Sequence, residues 1–301
     1  NQYGLIAISI DSNEVSNLRQ LCDLIFGKQN FLADVAWEKR YTRSNNAKKF
    51  YSLKDTIMIF AKTDKLETLR ENRSEKSKLN YSNPDDDPRG PWISSSYINP
   101  ATREQRPNLV YPIRNPFTGT LVNHPTHAWK YDLSTHNQHI NDNRLYWGLN
   151  GDYEFPRLKS FLSEAKEGMV PIDVWNYKET GTTDEGGIII KGLFGKEIFD
   201  NPKPPQVIIR TFQLSAHINE SNIFCDFFAG SGTTAHAVLN LNKEDGGNRK
   251  YILVEMGDYF DIVTKPRIQK VAYSSNWKDG KPLDTDGQSH IFKYMELEQY
   301  E

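Results

Sequence analysis

The stretch Ile223-Phe-Cys-Asp-Phe-Phe228 is apolar but for one acid, and it breaks at once into Ala229-Gly230-Ser231-Gly232. A helix-like segment, Thr234 to Leu241, follows. Strand, tight turn and helix form the unit that places a ligand at the carboxyl end of a parallel strand. The glycines let backbone approach a ligand closely, and the helix start offers N–H groups to an anionic group.

Two ligands compete for this turn. Gly230-x-Gly232-x-x-Ala235 fits a relaxed dinucleotide fingerprint, and Glu255, after a second strand Tyr251 to Val254, fits a ribose-binding acid. Asp226 lies four residues before the first glycine, at the mouth of the same site. A carboxylate there repels a pyrophosphate and suits a cationic ligand. S-adenosylmethionine carries an ammonium, a sulfonium and a ribose, but no phosphate. A structural strand–turn–helix with an incidental acid also fits the pattern.

A chain of 301 residues has room for two cores, at about 100–200 residues each. Apolar residues are 37% and charged residues 25%, the balance of a water-soluble globular protein. No apolar run reaches the length of a membrane span and no basic-then-apolar leader opens the sequence, so a cytoplasmic protein without membrane contact is expected. Cys22 and Cys225 each sit in an apolar element and read as buried thiols, not as a disulfide or metal pair. The net charge of −2 hides a local excess: residues 39–80 hold twelve Lys/Arg against five acids. Phosphate binding needs such a patch, although a solvated charged face is the alternative for its 62–78 part.

In chain order, Gly4 to Ile10 reads as a strand, and Asp11-x-x-Glu14 as a capping box for a helix ended by Gly27. Leu32 to Trp37 and Thr56 to Ala61 form a long hairpin whose loop carries Lys39, Arg40, Arg43, Lys48 and Lys49. From about residue 65 to 127 Pro, Asn, Ser and Asp dominate, predicting irregular structure with short strands. Aromatics then cluster, including Trp129, Tyr131, Tyr146, Trp147 and Trp175, and read as core. A helix is expected over Pro156 to Ala165. His124-x-x-His127 and His136-x-x-His139 have metal-like spacing but no cysteine beside them, so no metal is expected. Further on, Val207 to Leu214 reads as a helix, as does 259–273, which has a proline in its first half.

Asp226-Phe-Phe-Ala-Gly-Ser-Gly-Thr-Thr234 resembles the cofactor motif of amino-DNA methyltransferases, enzymes that methylate adenine N6 or cytosine N4. Lys203-Pro204 resembles the segment preceding that motif in the permuted (β) order. Tyr251 to Phe260, Thr264-Lys-Pro-Arg-Ile-Gln-Lys-Val271 and Asn143-Arg-Leu-Tyr-Trp-Gly148 are similar to the modification subunit of type III restriction–modification systems.

The resemblance implies an α/β, Rossmann-like methyltransferase sheet built from both chain ends, residues 1–64 and 201–275. A mixed α+β target-recognition domain, 65–200, is inserted between them, and 276–301 form a tail. It implies a site-specific DNA adenine-N6 methyltransferase acting on a flipped-out base. S-adenosylmethionine would be held by Lys203, Asp226, Phe228, Ala229, Gly230, Ser231, Gly232, Thr233, Thr234 and Glu255. Double-stranded DNA would lie against Lys39, Arg40, Arg43, Lys48 and Lys49. A homodimer and a helicase–nuclease restriction subunit would be the partners.

The family's (Asp/Asn/Ser)-Pro-Pro-(Tyr/Phe) loop, which activates the amine, does not occur; Asn201-Pro-Lys-Pro-Pro205 and Asp87-Pro-Arg are the nearest strings. No catalytic residue is therefore assigned, and Ser9 and Asp11 are only neighbours of where the base should sit. An N-terminally truncated enzyme, inactive alone and with an unpaired edge at Gly4 to Ile10, is expected. The alternative is a catalytically dead remnant that binds DNA, cofactor or both.

Overall fold

The computed structural model describes residues 2–43, 47–66, 68–71, 79–165, 168–214 and 222–297. The architecture is mixed α/β with several small sheets. The chain divides into two compact units, Asn1–Glu71 with Val170–Glu301, and Asn72–Met169. The second is narrower than the expected 65–200 segment, because 170–200 carry elements that pack in the first.

In the first unit the elements are β1 (Leu5–Ile10), α1 (Val15–Phe26), β2 (Phe31–Glu38), β3 (Lys54–Ala61), β4 (Val174–Trp175), α2 (Tyr177–Thr180), α3 (Thr183–Phe194), α4 (Pro205–Gln213), β5 (Ile223–Asp226), α5 (Thr233–Asp245), β6 (Lys250–Leu253) and α6 (Lys265–Tyr273). A four-stranded sheet has the order β1-β3-β2-β4. Strand β3 is antiparallel to both its neighbours, and β4 runs parallel to β2.

The run Ile57-Met-Ile-Phe60 is apolar at every position because both faces of β3 are covered. Ile57 and Ile59 join Val35, Trp37, Trp175, Val207 and Leu214 in one core. Met58 and Phe60 point the other way and join Cys22, with Val15, Leu18 and Phe26 of α1 packed on them. The alternation of the pleat thus builds two cores from one strand.

Strands β5 and β6 form a separate parallel pair joined through α5. Behind the pair, Ala235 and Leu239 of α5 pack with Ile268 and Val271 of α6 and Leu193 of α3.

Three local expectations are corrected. Glu14 caps α1 without a side-chain bond to the backbone amides of its first turn, and the Asp11 carboxylate accepts from the Asn13 amide, so no capping box forms. Cys22 is buried as expected but Cys225 is exposed, since it alternates onto the open face of β5. The segment read as a helix over Pro156 to Ala165 is a strand, Arg157–Phe161, followed by a short 3-10 turn. Its mixed apolar and charged spacing serves a pleat: Leu158 and Phe161 pack apolar surface while Lys159 turns to Asp85 and the buried Asp87.

That strand is central in the second unit, between Trp92–Ser96 and Leu145–Tyr146. Of the aromatics read as core, Trp129 and Trp147 are buried and pack with Tyr97 and Ile113, Tyr131 packs against them half-buried, and Trp175 is buried in the first unit, whereas Tyr146 is only half-buried. His136 and His139, on the helix Leu133–Asn141, both contact the Tyr97 hydroxyl through Nδ1, at 3.2 and 3.0 Å. Their spacing thus serves a buried hydrogen-bond cluster.

Beside this core lies an ion-pair network. The Lys159 ammonium, almost fully buried, meets Asp87 at 3.1 Å and also pairs with Asp85, and Arg89 grips the Asp87 carboxylate at 2.8 and 2.9 Å. The Arg89 fork, aided by Lys159, holds the Asp87 carboxyl well below the usual range despite its burial. Asp87→Ala leaves the buried Lys159 with Asp85 as its carboxylate partner and removes the Arg89 fork, so it should cost about 1.5–3 kcal/mol in urea unfolding. A carboxyl depressed by folding stabilises above its unfolded pKa of about 3.9. The wild type should therefore lose this contribution as the pH falls below about 4, and the variant should show a shallower acid limb.

Candidate functional site

The site is built where β5 and β6 end. Their ladder continues past the strands, with Val254 N–H donating to Asp226 O at 2.8 Å and Ala229 N–H to Val254 O at 3.1 Å. Asp226 therefore stands at the carboxyl end of β5, with Glu255 just beyond β6. The Asp226 carboxylate accepts from the Phe228 amide at 3.1 Å and from the Thr234 hydroxyl at 2.6 Å, fixing the start of the turn to the start of α5.

Glu255 closes the turn from the other strand. One of its oxygens accepts from Gly230 N–H at 2.7 Å, the other from the Met256 and Gly257 amides, each at 2.9 Å. Burial pushes this carboxyl up, but those amides and the Tyr259 hydroxyl outweigh it and hold it below the ordinary range.

The turn itself needs its glycines. Gly230 and Gly232 have φ of +54° and +82°, a region costly to residues with a Cβ. A Cβ on Gly232 would also stand 3.3 Å from both Cγ2 and the carbonyl oxygen of Thr264. Gly232 caps α5 with no side chain, so the first-turn amides are left to other acceptors.

Beneath the turn, Thr264 donates its hydroxyl to Gly230 O at 2.6 Å. Arg267 is completely buried. Its Nη1 donates to Ser231 Oγ at 2.8 Å, Thr233 Oγ1 at 2.9 Å and Ser231 O at 3.3 Å, and Nη2 lies 3.1 Å from His236 Nδ1. Burial pushes the guanidinium down to about 9 and, with Arg267 adjacent, lowers His236 far below its usual value. Neutral His236 thus accepts at Nδ1 and carries its proton on Nε2.

The sequence reading missed Thr264, His236 and Arg267. The signal was present: Val263, Arg267 and Val271 recur every four residues on one helical face, which puts a cation on a buried stripe.

The other expected cofactor residues are gathered round this turn. Lys203 accepts the Thr233 hydroxyl through its carbonyl at 3.2 Å. Burial depresses its ammonium, with Asp55 and Asp226 pulling the other way. Ala229 is buried, whereas Phe227, Phe228 and Met256 stand exposed round the turn, Phe228 and Met256 almost wholly.

The basic loop is divided in its use. Lys39 pairs with Asp55 at 2.6 Å, and Arg40 bonds the Tyr51 hydroxyl and, at 3.1 Å, Asn201. Arg43, Lys48 and Lys49 are exposed, while residues 44–46, and Glu67, Arg73, Glu75, Lys76 and Lys78 of the basic stretch, lie outside the described residues. Among the described residues no group of His, Cys, Asp or Glu could hold a metal, and no helix is long and apolar enough to cross a membrane.

A glycine turn between two strand-end carboxylates is shared by several kinds of nucleotide-type site; comparison with known proteins gives the family. A family model described as DNA methylase matches residues 1–265. The chain belongs to this DNA methylase family. It is 33% identical over 256 residues to the Mod subunit of the type III restriction-modification enzyme StyLTI of Salmonella typhimurium, covering 83% of this chain and 37% of that protein. It is 29% identical to the type II methyltransferase M.KpnI of Klebsiella pneumoniae, over 98% of this chain and 72% of that one. The Mod subunit of the type III enzyme EcoPI of Escherichia phage P1 is 27% identical, over 89% of this chain and 47% of its own length. The chain thus spans less than half the length of these type III relatives, 37% and 47%. The resemblance read from the cofactor motif is borne out.

Gly232 and Gly246, both at positive φ, give a local test. Gly232→Ala should lose about 1–2 kcal/mol from φ alone, and more from the contact with Thr264. Gly246→Ala, at φ +72° with nothing within 4 Å of its Cβ, should lose only the φ term. Thermal melts of both variants check the difference.

Proposed function

We propose that this chain forms the cofactor- and DNA-binding parts of a site-specific DNA methyltransferase that takes its methyl group from S-adenosylmethionine and delivers it to adenine N6. The observation that carries this reading is the pair of carboxylates, Asp226 and Glu255, at the ends of adjacent parallel strands with an uncapped glycine turn between them. Asp226 suits the ammonium of the methionine moiety and would repel a pyrophosphate, which favours S-adenosylmethionine over NAD. Glu255 suits the ribose hydroxyls. Of its four donors only the Tyr259 hydroxyl belongs to a side chain, so that donor can turn away for a ribose hydroxyl while the amides keep the carboxylate in place.

S-adenosylmethionine, when bound, supplies an electrophilic methyl group. The chain's own residues bind and orient: Lys203, Ala229 and Ser231 to Thr234 shape the site, and exposed Phe228 offers a flat apolar face to a planar ring. An exocyclic amine is a poor nucleophile and needs acceptors for its hydrogens. No (Asp/Asn/Ser)-Pro-Pro-(Tyr/Phe) string occurs in the sequence, so that role is given to no residue here.

In the same reading the four-stranded sheet and the β5–β6 pair of the first unit belong to a Rossmann-like methyltransferase arrangement, and the second unit, with flanking residues between 65 and 200, reads the target sequence. Double-stranded DNA, a second copy and a restriction subunit are the partners of a type III modification subunit acting in the cytoplasm. Lys39 and Arg40, already paired, hold the ends of the basic loop, while Arg43, Lys48 and Lys49 meet phosphate.

Calorimetry should show binding of S-adenosylmethionine and none of NAD; the reverse would overturn the cofactor assignment. Loss of a charge-assisted bond costs about 1.5–3 kcal/mol, so Glu255→Ala should weaken binding roughly tenfold or more. Replacing both Lys48 and Lys49 by Ala should weaken binding to all DNA sequences alike and flatten log K against log salt by about one to two units. A loss confined to one target sequence would instead make this loop a reader of bases. Mass spectrometry of nucleosides from DNA methylated by the full protein distinguishes N6-methyladenine from N4-methylcytosine.

A further inference from the structure

Arg267 is the least expected group near the turn. It is fully buried, and an unpaired charge in such a place costs several kcal/mol unless something compensates it. Among the described residues no carboxylate pairs with it. Its partners are neutral: the carbonyl and hydroxyl of Ser231, the hydroxyl of Thr233 and the ring of His236. Each partner lies in or directly after the glycine turn, and the guanidinium fork spans Ser231 and Thr233 from one nitrogen. Other buried cations in the chain are placed differently. Lys159 has Asp85 and Asp87, and Arg249 has Asp245.

We propose that Arg267 is a positioning residue of the cofactor site, one that holds the Ser231–Thr233 turn in its binding shape and keeps an uncompensated positive charge beneath it that favours a ligand bearing a carboxylate. The proposal rests on the S-adenosylmethionine reading above and adds which end of that molecule the turn selects. The ligand is amphoteric in its amino-acid part. Asp226 suits its ammonium, and Arg267, acting through Ser231, suits its carboxylate. Thr233 gives its own hydrogen to the Lys203 carbonyl, so the relay runs through Ser231: when the guanidinium donates to the Ser231 hydroxyl oxygen, the hydroxyl hydrogen is left to point away from it, towards an acceptor in the turn. A neutral residue of similar size at 267 would leave the same packing but remove both the fork and the field.

The test compares S-adenosylmethionine with its decarboxylated derivative, which keeps the sulfonium and the amine and lacks only the carboxylate. Calorimetry on the wild type should show a preference of about tenfold or more for the carboxylate-bearing compound. Arg267→Met should bring the two affinities within about threefold, chiefly by weakening S-adenosylmethionine. Arg267→Lys, which keeps the charge and loses the fork, should retain most of the preference. Should Arg267→Met fail to give a cooperative melt, Arg267→Gln carries the same comparison, because it can still donate to the hydroxyls but is uncharged. Equal affinity of the wild type for both compounds would overturn the proposal, as would a neutral variant that weakens both alike. A wild type that binds both compounds keeps the cofactor reading whatever becomes of Arg267, whereas one that binds neither removes that reading and this proposal together.

Discussion

The Gly230–Thr233 turn is held from three directions, and the architecture of the first unit follows from supplying them. Glu255 reaches it from the end of β6, Thr264 and Arg267 from the start of α6, and Asp226 through the Thr234 hydroxyl from β5. Two residues of the turn sit at positive φ, a conformation that local propensity supports only weakly even for glycine. The bonds from separate elements offset that cost. They also explain why α5, β6 and α6 must pack as one layer: the Ala235, Leu239, Ile268 and Val271 core brings α6 close enough for a side chain to reach under the turn. Packing behind the sheet and geometry in front of it are one constraint.

Legibility in the sequence follows how local each cause is. The hairpin β2–β3, the helix α1 ended by Gly27 at φ +86°, and the strand–turn–helix of β5 and α5 were readable because apolar period and glycine placement lie within each segment. Strand Arg157–Phe161 was misread because its inward Lys159 looks polar and exposed until Asp85 and Asp87, some seventy residues earlier, are known to meet it. The same holds for the histidines. Their i, i+3 spacing was visible, but their shared partner Tyr97 comes from another element. Cys225 reads as buried from its apolar neighbours, yet in β5 only the alternate residues turn inward. At the site, the glycines and both carboxylates were legible from one motif and one strand end. Arg267 was not, since a cation on an apolar stripe declares a role only when its acceptors are in place.

Charge is what separates this turn from a phosphate-binding one of similar outline. A helix start and glycine amides favour any anion, and by themselves they do not distinguish a pyrophosphate from a carboxylate. Adding Asp226 at the mouth makes the site unfavourable for a ligand with two or more negative charges beside the strand end. Keeping Arg267 below the turn restores attraction for one negative charge at the other end. Lys203, partly desolvated and influenced by both Asp55 and Asp226, further limits how negative the pocket becomes. The proposed ligand, with a fixed sulfonium, an ammonium and a single carboxylate, matches that ordering of signs, whereas a dinucleotide matches only its anionic part. Selectivity at such a site then resides less in the glycine motif, which many α/β folds share, than in one acid before it and one buried base behind it.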